Sequence, residues 1–258
     1  MTAMEITGLL IAAAAAGVVN AIAGGGTLIT FPVLLLFGTP PVVANATSTV
    51  ALVAGIAGSL FGYRNHIAEA RPWLAKFLPV SLVGGLLGGI LLTRTSNETF
   101  GMLVPFLILF ATILFLMQGT FRRFAGFDSD SNTHPRHRIL WGAIVFQFAV
   151  ALYGGYFGAG IGILMLASLG FIGLQNIHEM NTLKTMLGSL INLVASCWFV
   201  FAGLVHWPKA IVMTGGALFG YFLGAHYSQR IPQQGVRRII TGIGFTIAAV
   251  TFYKQFCR

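Results

Sequence analysis

The chain has 258 residues, of which 56% are hydrophobic and only 8% charged. A soluble domain carries about 25% charged residues, so this composition cannot cover a water-facing surface. The net charge of +9 does not point to nucleic acid, because the basic residues fall between apolar runs. There they orient a membrane protein and meet anionic lipid head groups.

The apolar runs are continuous and about 20 residues long, the length of a membrane helix and not the alternating pattern of a transmembrane barrel. The expected fold is therefore an all-α polytopic membrane protein. The first run extends from Glu5 to Ala23 with no basic region before it, so it reads as structure and not as a signal peptide. It meets Gly24, Gly25 and Gly26, and a short arm follows from Thr27 to Phe37. As a helix that arm is roughly 17 Å long against about 30 Å of hydrocarbon, too short to cross alone. Thr27 is the expected N-cap. Pro40 and Pro41 stop the arm, and full segments are expected over Val43–Tyr63, Trp73–Thr93 and Thr99–Gln118. The polar stretch Arg64–Pro72 reads as a loop. The last of these segments is the most uniformly bulky and is expected to face lipid.

Residues 119–138, with Arg122, Arg123, Asp128, Asp130, Arg136 and Arg138, form a hydrophilic linker. After it the plan recurs. A long run from Ile139 to Phe157 meets a second glycine-rich break containing Gly158 and Gly160, and a short arm runs to Leu174. A polar link over Gln175–Glu179 opens a segment from Met180 to Gly203. Another starts at His206 and reaches Ser228, and after a basic loop over Arg230–Arg238 the last covers Ile239–Phe256. The chain thus divides into a repeat over residues 1–118, the linker, and a second repeat over residues 139–258. Each repeat is a glycine-broken helical hairpin followed by three transmembrane helices. If each short arm returns to the side it came from, the repeats are inverted; if it is only re-entrant, they are parallel. The basic residues divide equally well either way, and both arrangements place the linker in the cytoplasm.

A helix break at membrane depth is tolerated only where it is buried in protein or lines a wet cavity, and paired breaks point to a transporter's binding site. Amides at the two breaks, at Gly24, Gly25, Gly26 and Thr27 and at Gly158 and Gly160, are expected to hold an anion with help from the helix dipole. Asn45, Ser48 and Thr49 follow the first arm, and Asn181, Thr182, Lys184 and Thr185 follow the second at matching places. Lys184 is the one charge that reads as deep. It either faces the cavity as a cationic contact for an anion, or snorkels or pairs with Glu179. Asn20, Gln147, Tyr153 and Tyr156 flank the breaks as candidate lining residues. No cofactor or metal is expected, because the six histidines occur singly and Cys197 and Cys257 give neither a disulfide framework nor a metal-ligand spacing. No nucleophile–base pair suggests an enzyme. A passive anion channel uses the same devices and stays open as an alternative.

The stretch AIAGGGTLITFPVLLLFG with PPVVANATST after it, and its second copy GYFGAGIGILMLASLGFIG with HEMNTLKT, resemble the TauE/SafE sulfite exporter family of membrane permeases. The resemblance covers nearly the whole chain. It implies a multi-pass carrier that moves sulfite, sulfoacetate or another organosulfonate across a bacterial inner membrane. Its partners would be the small anion and the surrounding lipid, with proton or ion coupling open. Glu179, His178 and Lys184 are the proton-coupling candidates near the site.

The linker supplies a first test. Ser129→Cys, in a chain lacking Cys197 and Cys257, is expected to resist a membrane-impermeant thiol reagent in intact cells and to react after lysis. Labelling from outside would reverse the orientation.

Overall fold

The computed structural model describes residues 1–22, 25–62, 67–124, 137–171, 174, 177–227 and 233–256, and among these there are helices and turns but no strands. The helices are α1 (Ala3–Ile22), α2 (Thr27–Leu36), α3 (Pro41–Gly62), α4 (Ile67–Arg94) and α5 (Asn97–Phe124), then α6 (His137–Tyr156), α7 (Ile161–Phe171), α8 (Ile177–Phe201), α9 (Trp207–Tyr227) and α10 (Gln233–Phe256). Among the described residues four helices are long and apolar enough to cross a membrane, over Ala3–Ala21, Arg71–Arg94, Asn97–Met117 and Glu179–Phe201.

Three polar stretches that read as loops are partly helical. Helix α4 starts at Ile67, α8 at Ile177 and α10 at Gln233. The Ala-Glu-Ala-Arg run before Pro72 and the Gln and Arg residues after 232 are good helix formers, and polarity alone does not exclude a helix. Helix α5 is also not simply lipid-facing. Its Phe100, Val104, Ile108, Ala111 and Phe115 are buried, while Phe106, Phe110, Leu116 and Met117 are exposed. Thr112 of α5 packs against Gly244 of α10, and Phe106 meets Phe252 edge-on at 4.9 Å.

Lipid is as apolar as leucine, so helices in a bilayer associate through close packing more than through loss of water. The glycines carry that packing. Helix α1 lies on α9, with Gly17 against the backbone at Ala217 and Tyr221, Gly216 against the Leu10 carbonyl and Gly220 against the Ala14 carbonyl. Helix α4 lies on α6 in the same way, with Gly84 against the Phe148 carbonyl, Gly88 against that of Leu152, and Gly155 against that of Gly85. Helices α3 and α8 pack on each other and on these pairs. The larger core gathers Phe31, Phe100, Phe115, Phe157 and Phe199, and a second one gathers Phe77, Met165, Leu183 and Ile191.

Helix α2 ends in a Schellman turn. Gly38 takes φ +70°, its N–H reaches Leu35 O at 3.0 Å, and Thr39 N–H reaches Leu34 O at 3.0 Å. This turn brings the end of α2 back beside the start of α1, where Lys209 Nζ touches both Phe37 O (3.1 Å) and Glu5 Oε1 (2.7 Å). Asn97, the first residue of α5, accepts from Val42 N–H at 3.0 Å and so caps the start of α3.

The glycine contacts are testable on one helix. Gly220→Ala drives a methyl into the Ala14 carbonyl, whereas nothing lies within 4 Å of a Cβ at Gly215. Gly220→Ala is expected to lower stability by about 1–3 kcal/mol, as overpacking does. Gly215→Ala is expected to be neutral or stabilising, since alanine gains up to about 1 kcal/mol over glycine in a helix. Melting curves of the purified protein in detergent check both.

Candidate functional site

The first break leaves α1 at Ile22 and starts α2 at Thr27. Gly24 lies outside the described residues. Gly25 takes φ +96°, a left-handed conformation that only glycine adopts cheaply, and a Cβ there would enter the Phe115 ring. Gly26, not Thr27, is the N-cap, and Thr27 is the first helical residue. The cap comes from the preceding helix: Asn20 Oδ1 accepts the Gly26 N–H at 2.6 Å. Asn20 is itself held, because its Nδ2 donates to Tyr221 Oη of α9 at 2.9 Å. Gly55 of α3 leaves the room that the Tyr221 ring occupies. The Gly26 amide expected to face an anion is therefore committed to Asn20.

The second break leaves α6 at Tyr156 and starts α7 at Ile161. Gly158 takes φ +81° and Gly160 φ +80°. Tyr153 Oη donates to Ala159 O at 2.7 Å, tying the break to its own helix. Asn45 Nδ2 donates to Tyr156 O at 2.9 Å from α3, a helix distant in sequence. Tyr156 also reaches Thr95 Oγ1 at 3.4 Å, and its ring meets Phe100 edge-on at 5.5 Å.

The two breaks meet. Gly25 lies on Phe115, while Gly160 lies beside Ala111 and Leu114, all within about one turn of α5. Phe31 of the first arm contacts Phe157 of the second break edge-on at 5.5 Å. Around this meeting point Ser48 is buried and shares a 2.6 Å hydrogen bond with Thr30 of α2, and Thr30 bonds back to Gly26 O at 3.2 Å. Thr49 Oγ1 donates to Asn45 O at 2.8 Å. Thr182 is buried, whereas Asn181, Lys184 and Thr185 are half-buried on the first turns of α8. The Lys184 stem runs along the first turn of α7: a Cβ at Gly162 would stand 3.1 Å from its Cδ and 3.7 Å from its Cε. One hydrogen of the Asn45 amide nitrogen is committed to the Tyr156 carbonyl. Gln147 donates to Ser81 Oγ at 2.9 Å between α6 and α4 and serves that packing.

A family model described as sulfite exporter TauE/SafE matches residues 9–251. The chain belongs to the TauE/SafE family. It is 30% identical over 242 residues to a probable membrane transporter protein of Haemophilus influenzae, covering 93% of this chain and 91% of that one. It is 25% identical over 252 residues to the probable membrane transporter protein YfcA of Escherichia coli, covering 95% and 87%. With the probable membrane transporter protein YunE of Bacillus subtilis it shares 23% over 274 residues, covering 97% and 98%. No solved structure matches it. This TauE/SafE chain is thus a multi-pass membrane transporter for a small molecule, and neither its family nor its relatives' names indicate an enzyme.

The sequence singles out Lys184 as the deep charge, but the TauE/SafE fold buries a second one more fully. Lys209, in the first turn of α9, is only 6% exposed. It pairs with Glu5 and donates to Thr39 Oγ1 at 3.0 Å and Phe37 O at 3.1 Å. The lysine thus neutralises an acid of α1 and satisfies a carbonyl at the negative end of α2. Its signal in the sequence was an acid and a base near the ends of otherwise apolar segments. Tyr221, Thr30 and Gly162 were also missed, because hydroxyls and single glycines inside apolar runs carry no local mark.

Removal of either partner separates their roles. Lys209→Met strands Glu5 and frees the α2 corner, so it is expected to lower the melting temperature. Glu5→Gln is expected to lower it less, because Lys209 keeps Phe37 and Thr39. Equal losses, read by fluorescence-detected melting, would mean the corner contacts contribute nothing.

Proposed function

We propose that the chain is a secondary carrier exporting a small anion, such as sulfite, sulfoacetate or another organosulfonate, across the bacterial inner membrane. The substrate binds where the two breaks meet, and access alternates as the two halves move about it. The halves are residues 1–118 and 139–258, arranged as inverted repeats. Three features support that arrangement: the crosswise packing of α1 on α9 and of α4 on α6, the return of α2 to the start of α1, and the shared turn of α5 under both breaks. With inverted halves, Arg64, Arg71, Lys76, the linker arginines and Arg230, Arg237 and Arg238 share one face, which the positive-inside rule makes cytoplasmic.

The observation that carries the anion reading is Lys184 laid along Gly162. A lysine stem beside the first turn of α7 brings an ammonium into the neighbourhood of a helix N-terminus, itself a positive pole. An anionic substrate suits this place, because the α7 N-terminus is a positive pole to which a lysine ammonium adds. Asn181, Thr182 and Thr185, from the same turns of α8, are the neutral contacts. In the first half Ser48 stands in the place of Lys184 and is already paired with Thr30, so the two half-sites differ.

A charged hydrogen bond is worth roughly 1.5–3 kcal/mol, or about 10- to 150-fold in affinity. Lys184→Gln is expected to raise the apparent substrate constant within that range in proteoliposome counterflow, with expression and monodispersity unchanged. Lys184→Arg is expected to rescue only in part, because a planar fork does not replace a compact ammonium. An unchanged constant in Lys184→Gln would remove the electrostatic basis of the reading. Absence of counterflow in an active wild-type preparation would favour a channel.

A further inference from the structure

The second break has two electrical ends, and the proposed anion accounts for only one. Helix α6 stops at Tyr156, so its carbonyls form a negative pole on the near side of the break. Three oxygen atoms lie at this end, and a fourth lies one helical turn away on α8. Asn45 is 1% exposed, and its Oδ1 is buried without a hydrogen-bond partner. The nitrogen of the same amide must donate to the Tyr156 carbonyl, so the orientation is fixed and the orphaned atom is an acceptor. Asn192 of α8 is fixed in the same way, because its Nδ2 donates to Gly188 O at 3.0 Å. Its Oδ1 and the Gly154 carbonyl oxygen flank the place a Cβ would occupy on Gly158, at 3.4 Å and 3.1 Å. One turn along the same face of α8, Ser196 is 5% exposed and its Oγ is a second buried side-chain atom without a partner.

A buried acceptor without a donor costs about 1–3 kcal/mol, so the orphaned atom at the break, with a second one turn along α8, marks an incomplete site. An anion cannot complete it, because the amide oxygens would repel one. A divalent ion is disfavoured, because among the described residues no group of acidic, histidine or cysteine side chains gathers to hold one. Neutral amide, hydroxyl and carbonyl oxygens at the C-terminal end of a half-helix suit a small, hard, monovalent cation. We propose that the C-terminal end of α6 is a sodium site, built from Asn45, Asn192, Ser196 and the Gly154 carbonyl, that serves as the coupling-ion site of the carrier. It rests on the reading of this break as the transport site, but sodium binding can be measured with no anionic substrate present.

The test titrates sodium, potassium or choline chloride at constant ionic strength into the purified full chain and follows its melting temperature. Sodium is expected to stabilise the wild type saturably, with potassium and choline weaker. Ser196→Ala and Asn192→Ala are each expected to raise the half-saturating sodium concentration about tenfold, as loss of one neutral ligand does. Asn192→Asp, which adds a charge and keeps the shape, is expected to lower it and covers the case in which an alanine variant fails to fold. Lys184→Gln removes a positive charge from the same break and is expected to lower it and never to raise it, opposite to its effect on the anion, so a failed anion reading and a failed sodium site give different results. Equal stabilisation by all three cations, or sodium curves unmoved in every Asn192 and Ser196 variant, overturns the proposal. So does replacement of the sodium response by a response to pH alone, which would assign the acceptors to a protonated ligand.

Discussion

A broken helix inside a bilayer leaves backbone groups that lipid cannot satisfy, and the whole molecule is arranged around answering two such breaks. The answers come from elsewhere in the chain. Asn20 caps Gly26 only because Tyr221 of α9 holds its other end, and the carbonyl of Tyr156 is met by Asn45 of α3. The first break therefore depends on α9 and the second on α3, each remote in sequence from the break it serves. The glycine contacts of α1 with α9 and of α4 with α6 bring those helices close enough for such short side chains to reach.

The two breaks share geometry but not chemistry. The first is closed by neutral groups, with Asn20 on the Gly26 N–H, Thr30 on the Gly26 carbonyl and Ser48 on Thr30. The second carries Lys184 against a glycine, two positive-φ residues and the unpaired oxygen of Asn45. Mutual satisfaction makes the first a rigid reference. The second keeps unmet hydrogen-bonding capacity in the Asn45 oxygen.

Much of the architecture was legible in the sequence because glycine triplets, proline pairs and apolar run lengths report directly on backbone constraints. The glycines at 24–26 and at 158 and 160 mark where α1 and α6 end, and the apolar run lengths mark the helices. Helix starts at Ile67 and Gln233 were misread, because polarity signals exposure to water and not the absence of a helix. Within the site, Asn45 and Ser48 were placed beside the breaks, but their partners were not, since Tyr156 and Thr30 are fixed by tertiary approach. The sequence does not mark Lys209 as buried, because its acid lies at the far end of the chain. Only the return of α2 toward α1 brings Glu5, Thr39 and Lys209 to one point.

The crosswise pairing of α1 with α9 also sets a schedule for biogenesis. Helix α1 emerges from the ribosome first, yet the glycine face it must dock on belongs to a helix made near the end of synthesis. At about 5–20 residues per second, α1 waits roughly 10–40 s in the membrane with Glu5 lacking its lysine and Asn20 lacking its tyrosine. During that interval no native α1–α9 contact can exist, and the first 118 residues cannot complete their own fold. A nascent chain of this kind depends on protection by insertion machinery or neighbouring lipid until its last helices arrive.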